Sequence, residues 1–72
     1  MNLKQFNVKV ILKDNNYFYT RFNADDINDI ISHYNGMAYY YFDENGIERA
    51  GDCVSSLEMV NIETGEVISY IY

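Results

Sequence analysis

The amino-acid sequence predicts a small α+β domain in which one short amphipathic helix packs on an antiparallel sheet of four to five strands. Apolar and polar residues alternate with period 2 in several segments, and a single segment carries apolar residues at helical spacing. The length of 72 residues, with no linker or low-complexity tract, predicts a single domain spanning residues 1–72. The expected order of elements is β-β-α-β-(β)-β-β.

The first two strands are predicted to form a hairpin. Alternate residues of the first strand are apolar, namely Phe6, Val8, Val10 and Leu12. Asp14-Asn15-Asn16 has turn chemistry, because short polar side chains hydrogen-bond to their own backbone and tolerate a positive φ. The aromatic and β-branched residues 17–22 then predict the returning strand.

The helix is predicted to follow this hairpin. Asn23 is a suitable N-cap, and Asp25 and Asp26 come next, where the helix dipole favours carboxylates. Apolar residues recur at i, i+3, i+4 and i+7, namely Ile27, Ile30, Ile31 and Tyr34. Asn35-Gly36 supplies the stop signal.

The remaining residues are predicted to complete the sheet. Residues 37–42 predict a strand, and Asp43-Glu44-Asn45-Gly46 predicts a turn into a short segment at residues 47–49. Gly51-Asp52 is expected to break the chain. Residues 54–62 and 67–72 flank Glu63-Thr64-Gly65-Glu66 and predict a second hairpin.

No catalytic set, metal site or cofactor site is expected. The single His33 and the single Cys53 supply neither a nucleophile with its base nor a set of metal ligands. The acidic segment at residues 43–48 has its glycine at the wrong position for a calcium loop. The sequence contains no phosphate-binding glycine motif and no paired C-x-x-C. We therefore expect a binding protein that is not an enzyme.

The location is expected to be cytoplasmic. No apolar run approaches the roughly 20 residues of a membrane span, so no membrane association is expected. The first five residues lack the apolar stretch of a signal peptide.

The charges are distributed unevenly along the chain. Residues 1–22 hold four bases and one acid (+3), and residues 23–72 hold one base and ten acids (−9), which together give the net charge of −6. Such a distribution suggests an acidic surface that faces a basic partner, although a net charge also simply keeps a small protein soluble.

The acidic and aromatic residues predict a partner-binding surface. One acidic group lies on the solvent side of the predicted helix and comprises Asp25, Asp26 and Asp29. A second group follows in the next loop region and comprises Asp43, Glu44, Glu48 and Asp52. If the two groups converge, they present carboxylates beside Tyr34 and the run from Tyr39 to Tyr41, of which Tyr39 and Tyr41 are predicted contacts. Carboxylates on a rigid surface can stand in for phosphates, so we expect the partner to be a host DNA-acting protein with a basic surface. The alternative is an ordinary solvated helix face.

The strand and turn at residues 6–16, the returning strand at 17–22 and the helix ending Tyr34-Asn35-Gly36 form a pattern that spans about half the chain. This pattern resembles the small phage-encoded inhibitors of uracil-DNA glycosylase, in particular their short dimeric β-β-α-β type. Those inhibitors resemble DNA in charge, and their dimer traps an apolar residue of the enzyme's DNA-intercalating loop. The resemblance implies trapping and mimicking roles for Asp26, Ile27, Ile30 and Tyr34. Anti-CRISPR proteins share the same size and composition.

Two other functions remain open. The first is a self-assembling or structural interaction module whose tyrosine-rich strands pair with copies of itself. The second is a single-stranded nucleic-acid binder that uses Lys9 and Lys13 with the aromatic residues Tyr17, Phe18 and Tyr19, which the net charge disfavours. A homodimer is expected, formed through an edge strand or the tyrosine-rich face.

Overall fold

The fold is known from a computed structural model that describes residues 3–42 and 44–72, without the side chains of residues 39–42 and 49–52. Its elements are β1 (Lys4–Leu12), β2 (Tyr17–Ala24), α1 (Ile27–Tyr34), β3 (Ala38–Phe42), β4 (Glu48–Asn61) and β5 (Val67–Ile71). The predicted α+β class, an open antiparallel sheet with a single short helix, is confirmed. Nowhere in the described ranges is there a helix with the length and apolar character that crossing a membrane requires.

Four strands form the body of the sheet, in the order β2-β1-β4-β5. β3 pairs with the first part of β4, from Ala38 opposite Cys53 to Phe42 opposite Glu48. The pairing between β1 and β4 ends where Leu12 lies opposite Val54, so the start of β4 extends beyond β1. We call residues 38–42 and 44–53 the hairpin arm.

The predicted chain break at Gly51-Asp52 is wrong, because β4 runs without interruption from Glu48 to Asn61. The predicted segment at residues 47–49 and the predicted strand at 54–62 therefore belong to one strand. The register of β4 shifts at two places without ending the strand: opposite β3 between Ala50 and Cys53, which includes Gly51-Asp52, and opposite β1 at Ser55, which is skipped in the pairing. The Ser55 hydroxyl donates a hydrogen bond to the Ile11 carbonyl at 3.2 Å, and this bond accommodates the bulge without ending the strand.

One apolar layer is buried between the sheet and the helix. The even-numbered residues of β1 from Phe6 to Leu12 are at most 4% exposed, as their period-2 pattern predicts. The helix contributes Ile30 and Tyr34 to the same core. β4 contributes Val54, Leu57 and Met59. The odd-numbered residues of β1 lie on the opposite face, which we call the open sheet face.

The predicted N-cap at Asn23 is wrong, because β2 continues through Asn23, which pairs with Gln5. Ala24 is 3% exposed in the core, and its burial keeps this segment extended. The N-cap is Asp26, whose Oδ1 accepts a hydrogen bond from the Asn28 amide at 3.1 Å. Gly36 follows the helix with φ +71°, in agreement with the predicted stop.

A side-chain hydrogen bond joins Tyr72 to the helix. The Tyr72 hydroxyl donates this hydrogen bond to the Ile31 carbonyl at 2.6 Å. Burial, with smaller contributions from Tyr70 and Tyr34, raises the pKa of Tyr72 above its ordinary value of 10.0. Because the folded pKa lies above the unfolded one, this group's contribution to stability is complete below the unfolded pKa and is lost as the pH rises through the folded pKa.

We expect Tyr72→Phe to lower the free energy of unfolding by about 0.5–1.5 kcal/mol at neutral pH, because one hydrogen bond is lost. We also expect the variant to lose less stability than the natural chain as the pH is raised through the alkaline range. Urea unfolding from neutral to alkaline pH measures both effects. Tyr19→Phe, at a 67% exposed residue of β2, is the control. Identical alkaline slopes for Tyr72→Phe and the natural chain would contradict this role of the hydroxyl.

Candidate functional site

A cleft of about 360 Å³ opens at the end of the sheet where α1 begins. Three parts of the chain meet there: the start of β1, the junction between β2 and α1, and the turn between β4 and β5. The residues that line it are Lys4, Phe6, Asp25, Asp26, Ile27, Asn61, Glu66 and Ile68. We call it the helix-end cleft.

The helix-end cleft has an apolar floor and an anionic rim. Phe6 is 2% exposed, and Ile27 and Ile68 are partly buried against the core. Asp25, Asp26 and Glu66 are exposed. With Lys4 as the base among the lining residues, the three carboxylates give the cleft a formal charge of −2 (three acids less one base). This combination suits an apolar side chain of a partner that carries basic groups beside it.

The turn between β4 and β5 fixes one wall of the cleft. The Asn61 side-chain oxygen accepts hydrogen bonds from the amides of Glu63 and Thr64 at 2.9 and 3.2 Å. Gly65 adopts φ +76°, which a residue without a Cβ tolerates, and its amide donates to the Asn61 carbonyl at 2.7 Å. The Asn61 amide then donates to the Glu66 carbonyl at 2.9 Å. These bonds hold the Glu66 backbone beside the start of α1.

The two aspartates of the rim have different local roles. The Asp26 carboxylate is engaged with Asn28, through the backbone amide at 3.1 Å and the side-chain amide at 3.5 Å. Asp25 makes no such bond to any described residue. Asp26 therefore holds the helix start, whereas Asp25 presents its carboxylate to the solvent.

The structure brings together only part of the predicted acidic surface. Asp25 and Asp26 line the cleft, and Asp29 is exposed in the first turn of α1. Glu44 and Glu48 are exposed in the hairpin arm. At about 3.3 Å per residue, the 13 steps along β4 between Glu48 and Asn61 separate the two ends by about 40 Å. Glu44 and Glu48 therefore do not converge with Asp25 and Asp26.

Several predicted site residues fall outside what the structure describes. Asp43 is not among the described residues, and the same holds for the side chains of Tyr39, Tyr41 and Asp52.

Two predicted contact residues are not on the surface. Ile30 is 0% exposed and Tyr34 is 4% exposed, and both pack against the sheet. They cannot contact a partner unless the helix leaves the sheet, so we exclude them from the candidate site. Ile27 is half-buried and remains in it as part of the cleft floor.

Five residues that line the cleft are not among the predicted site residues, namely Lys4, Phe6, Asn61, Glu66 and Ile68. Phe6 lies opposite Asn61 because β1 pairs with β4 across more than 50 intervening residues. The alternation of β1 is the signal that could have indicated these residues. Because one face of β1 is fully buried, β1 is expected to pair with a strand at each of its edges.

The open sheet face carries a basic and aromatic patch formed by Lys9, Tyr17 and Tyr19. The Lys9 Nζ lies 4.4 Å from the centre of the Tyr17 ring and 5.9 Å from that of Tyr19. The two rings meet edge to face, with their centres 5.8 Å apart. Phe18, a predicted nucleic-acid contact of the single-strand alternative, packs instead against the core. Lys13 is exposed in the turn after β1.

His33 and Cys53 both lie outside the helix-end cleft. The His33 ring is in the last turn of α1 and contacts the rings of Phe22 and Tyr34, at centre distances of 5.1 and 4.8 Å. Cys53 is half-buried in β4. Among the described residues, no three His, Cys, Asp or Glu side chains are grouped so that they could hold a metal ion.

Fold and cleft together define a small α+β domain with an acid-rimmed, apolar-floored cleft. Comparisons of the chain with protein-family models, with curated proteins and with solved structures return no match.

Proposed function

We propose that this protein is a small acidic inhibitor, encoded by a phage or mobile element, that binds a host nucleic-acid-processing protein. The target class is a DNA-repair or CRISPR-type defence enzyme whose DNA-binding surface the inhibitor blocks by charge mimicry. The observation that supports this proposal is the helix-end cleft, where three carboxylates surround an apolar floor.

The protein inhibits its target by occupying the DNA-binding surface, and it catalyses no reaction. Asp25 and Glu66 take the place of DNA phosphates against basic side chains of the target, with Asp29 extending the charge along the helix. An apolar side chain of the target enters the cleft and covers Phe6, Ile27 and Ile68. The excess of acidic residues in the whole chain, with a net charge of −6, also attracts a basic surface from a distance and speeds the encounter.

The test is displacement of host proteins from immobilised DNA. A lysate of the host cell is loaded onto DNA-cellulose, and the column is washed with the purified protein. We expect the protein to release a specific DNA-binding enzyme, which mass spectrometry identifies, and Asp25→Asn/Glu66→Gln to release at least tenfold less. Direct binding of the identified enzyme to the immobilised protein should weaken when the ionic strength rises from about 0.1 M to about 1 M, since the Debye length falls from about 10 to about 3 Å.

The matched control is Glu44→Gln/Glu48→Gln. It removes the same number of charges, leaving −4 in each double variant (−6 plus two), but at the other end of β4. Equal activity of the two double variants would show that the cleft is not the site. Retention of the protein itself on single-stranded DNA, lost in Lys9→Gln, would favour the patch on the open sheet face and nucleic-acid binding instead.

A further inference from the structure

The outer edge of β5 has unused backbone hydrogen-bonding groups. Among the described strands, β5 pairs with β4 alone. The Glu66 carbonyl and the Tyr72 amide bond to β4, so the even-numbered residues of this segment face β4. In an antiparallel ladder the residues between them point the other way. Val67, Ser69 and Ile71 therefore direct their amides and carbonyls away from the sheet.

The outer edge of β5 lacks the features that prevent an edge strand from pairing with another chain. Val67–Ile71 reads VISYI, with no charged residue, no proline and no bulge in its pairing with β4. Val67 is 58% exposed and Ile71 is 81% exposed. By contrast, β2 at the opposite edge carries the charged Arg21. In a protein of net charge −6, β5 is an edge at which two copies can meet without bringing charges into contact.

The sequence of β5 is complementary to itself when two copies run antiparallel about Ser69. That register places Ser69 opposite Ser69 and Val67 opposite Ile71. The two-fold symmetry repeats the second pair as Ile71 opposite Val67, which makes three pairs. In each pair the backbone groups of both residues point outward, so each pair exchanges two hydrogen bonds, or six in all. Ile68 then lies opposite Tyr70 on the core side. Apolar side chains thus meet apolar side chains on both faces of the joined sheet.

We propose that two copies of this chain associate through β5, with Ser69 on the two-fold axis, so that their two four-stranded sheet bodies join into one continuous sheet. A five-residue strand edge covers less than the roughly 1,600 Å² of a standard interface, so we expect a dissociation constant on the order of micromolar. The inference does not depend on the proposed inhibitor function, because it is argued from the backbone pairing and sequence of β5 and not from the carboxylates of the cleft; the two surfaces share Ile68.

The experiment is sedimentation equilibrium of the natural chain, Ser69→Pro and Ser69→Ala. The Ser69 amide points away from β4, so proline there preserves the ladder within the monomer while removing the central bonds of the dimer. We expect the natural chain and Ser69→Ala to dimerise alike, and Ser69→Pro to dissociate at least tenfold more readily. Equal association of all three, or a natural chain that stays monomeric at millimolar concentration, would overturn the proposal.

A second measurement avoids the need for a variant. Amide hydrogen exchange of the natural chain is followed below and above the dissociation constant. We expect the amides of Val67, Ser69 and Ile71 to gain protection with concentration, while those of Ile68 and Tyr70 are protected throughout. Protection that does not change with concentration would overturn the proposal.

The dependence of affinity on salt concentration distinguishes this proposal from the inhibitor function. Because each copy carries −6, salt screens their repulsion and tightens the dimer, whereas it weakens the binding of a basic target. A dimer that loosens as salt is added would overturn pairing through β5, whatever the outcome of the displacement test.

Discussion

Replacement of Ile30 by alanine is expected to lower the free energy of unfolding by about 2–5 kcal/mol, the range for truncating a large buried aliphatic side chain. Ile30 is 0% exposed, and with Tyr34 it is one of two buried residues that α1 contributes to the core. An eight-residue helix is not stable by itself, so α1 persists because Ile30 and Tyr34 pack on the sheet. A domain of this size has a total stability of the same order as the predicted loss.

Urea unfolding followed by circular dichroism and tyrosine fluorescence measures this loss. Ile31→Ala is the matched control, since Ile31 is the next residue of α1 and is only half-buried. We expect its effect to be less than half that of Ile30→Ala. A loss below about 1 kcal/mol for Ile30→Ala would mean that the helix contributes little to the core.

Local patterns in the sequence were sufficient to predict the hairpins and the apolar face of the helix. The alternation of β1 and the spacing of Ile27, Ile30, Ile31 and Tyr34 depend on residues that are near one another in the chain. Asn15, at φ +70°, occupies the predicted turn between β1 and β2. Each of these features is determined by the geometry of one strand, one turn or one helix. A pattern of a few neighbouring residues therefore identifies it.

Features set by tertiary packing were not predictable in the same way. Asn23 and Asp26 are both good N-cap residues, and the choice between them depends on the burial of Ala24 in the core. β4 continues past Gly51 because it pairs with β3 on both sides of it, at Ala50 and at Cys53. The glycine therefore marks the register shift between these two pairs, and not the end of the strand.

The candidate site was predictable only in part for the same reason. Asp25, Asp26 and Ile27 lie beside each other in sequence, and their role at the surface could be anticipated. Glu66 and Ile68 join them because β4 ends and β5 begins at the end of the sheet where β1 starts, which is a consequence of the long-range pairing of β1 with β4. The pairing that brings Glu66 to the cleft also leaves Glu48 at the far end of β4.

Substitution of Asp26 distinguishes its structural role from its charge. Asp26→Ala removes both the cap and a rim carboxylate, and we expect it to lower the free energy of unfolding by about 1 kcal/mol, with a range of about 0.5–2. Asp26→Asn keeps a side-chain oxygen that can accept from the Asn28 amide, and asparagine is as good an N-cap as aspartate. We therefore expect Asp26→Asn to keep most of the stability while it weakens the release of DNA-binding proteins from DNA-cellulose.

Asp25 provides the comparison, because it lies on the same rim but does not cap the helix. Asp25→Ala should change the free energy of unfolding by no more than about 0.5 kcal/mol, as is usual for a surface residue. If Asp25→Ala and Asp26→Ala destabilise the protein equally, the Asp26 cap contributes nothing of its own. If Asp26→Asn is as stable and as active as the natural chain, the charge of Asp26 takes no part in binding, and the contribution of the rim must come from Asp25 and Glu66.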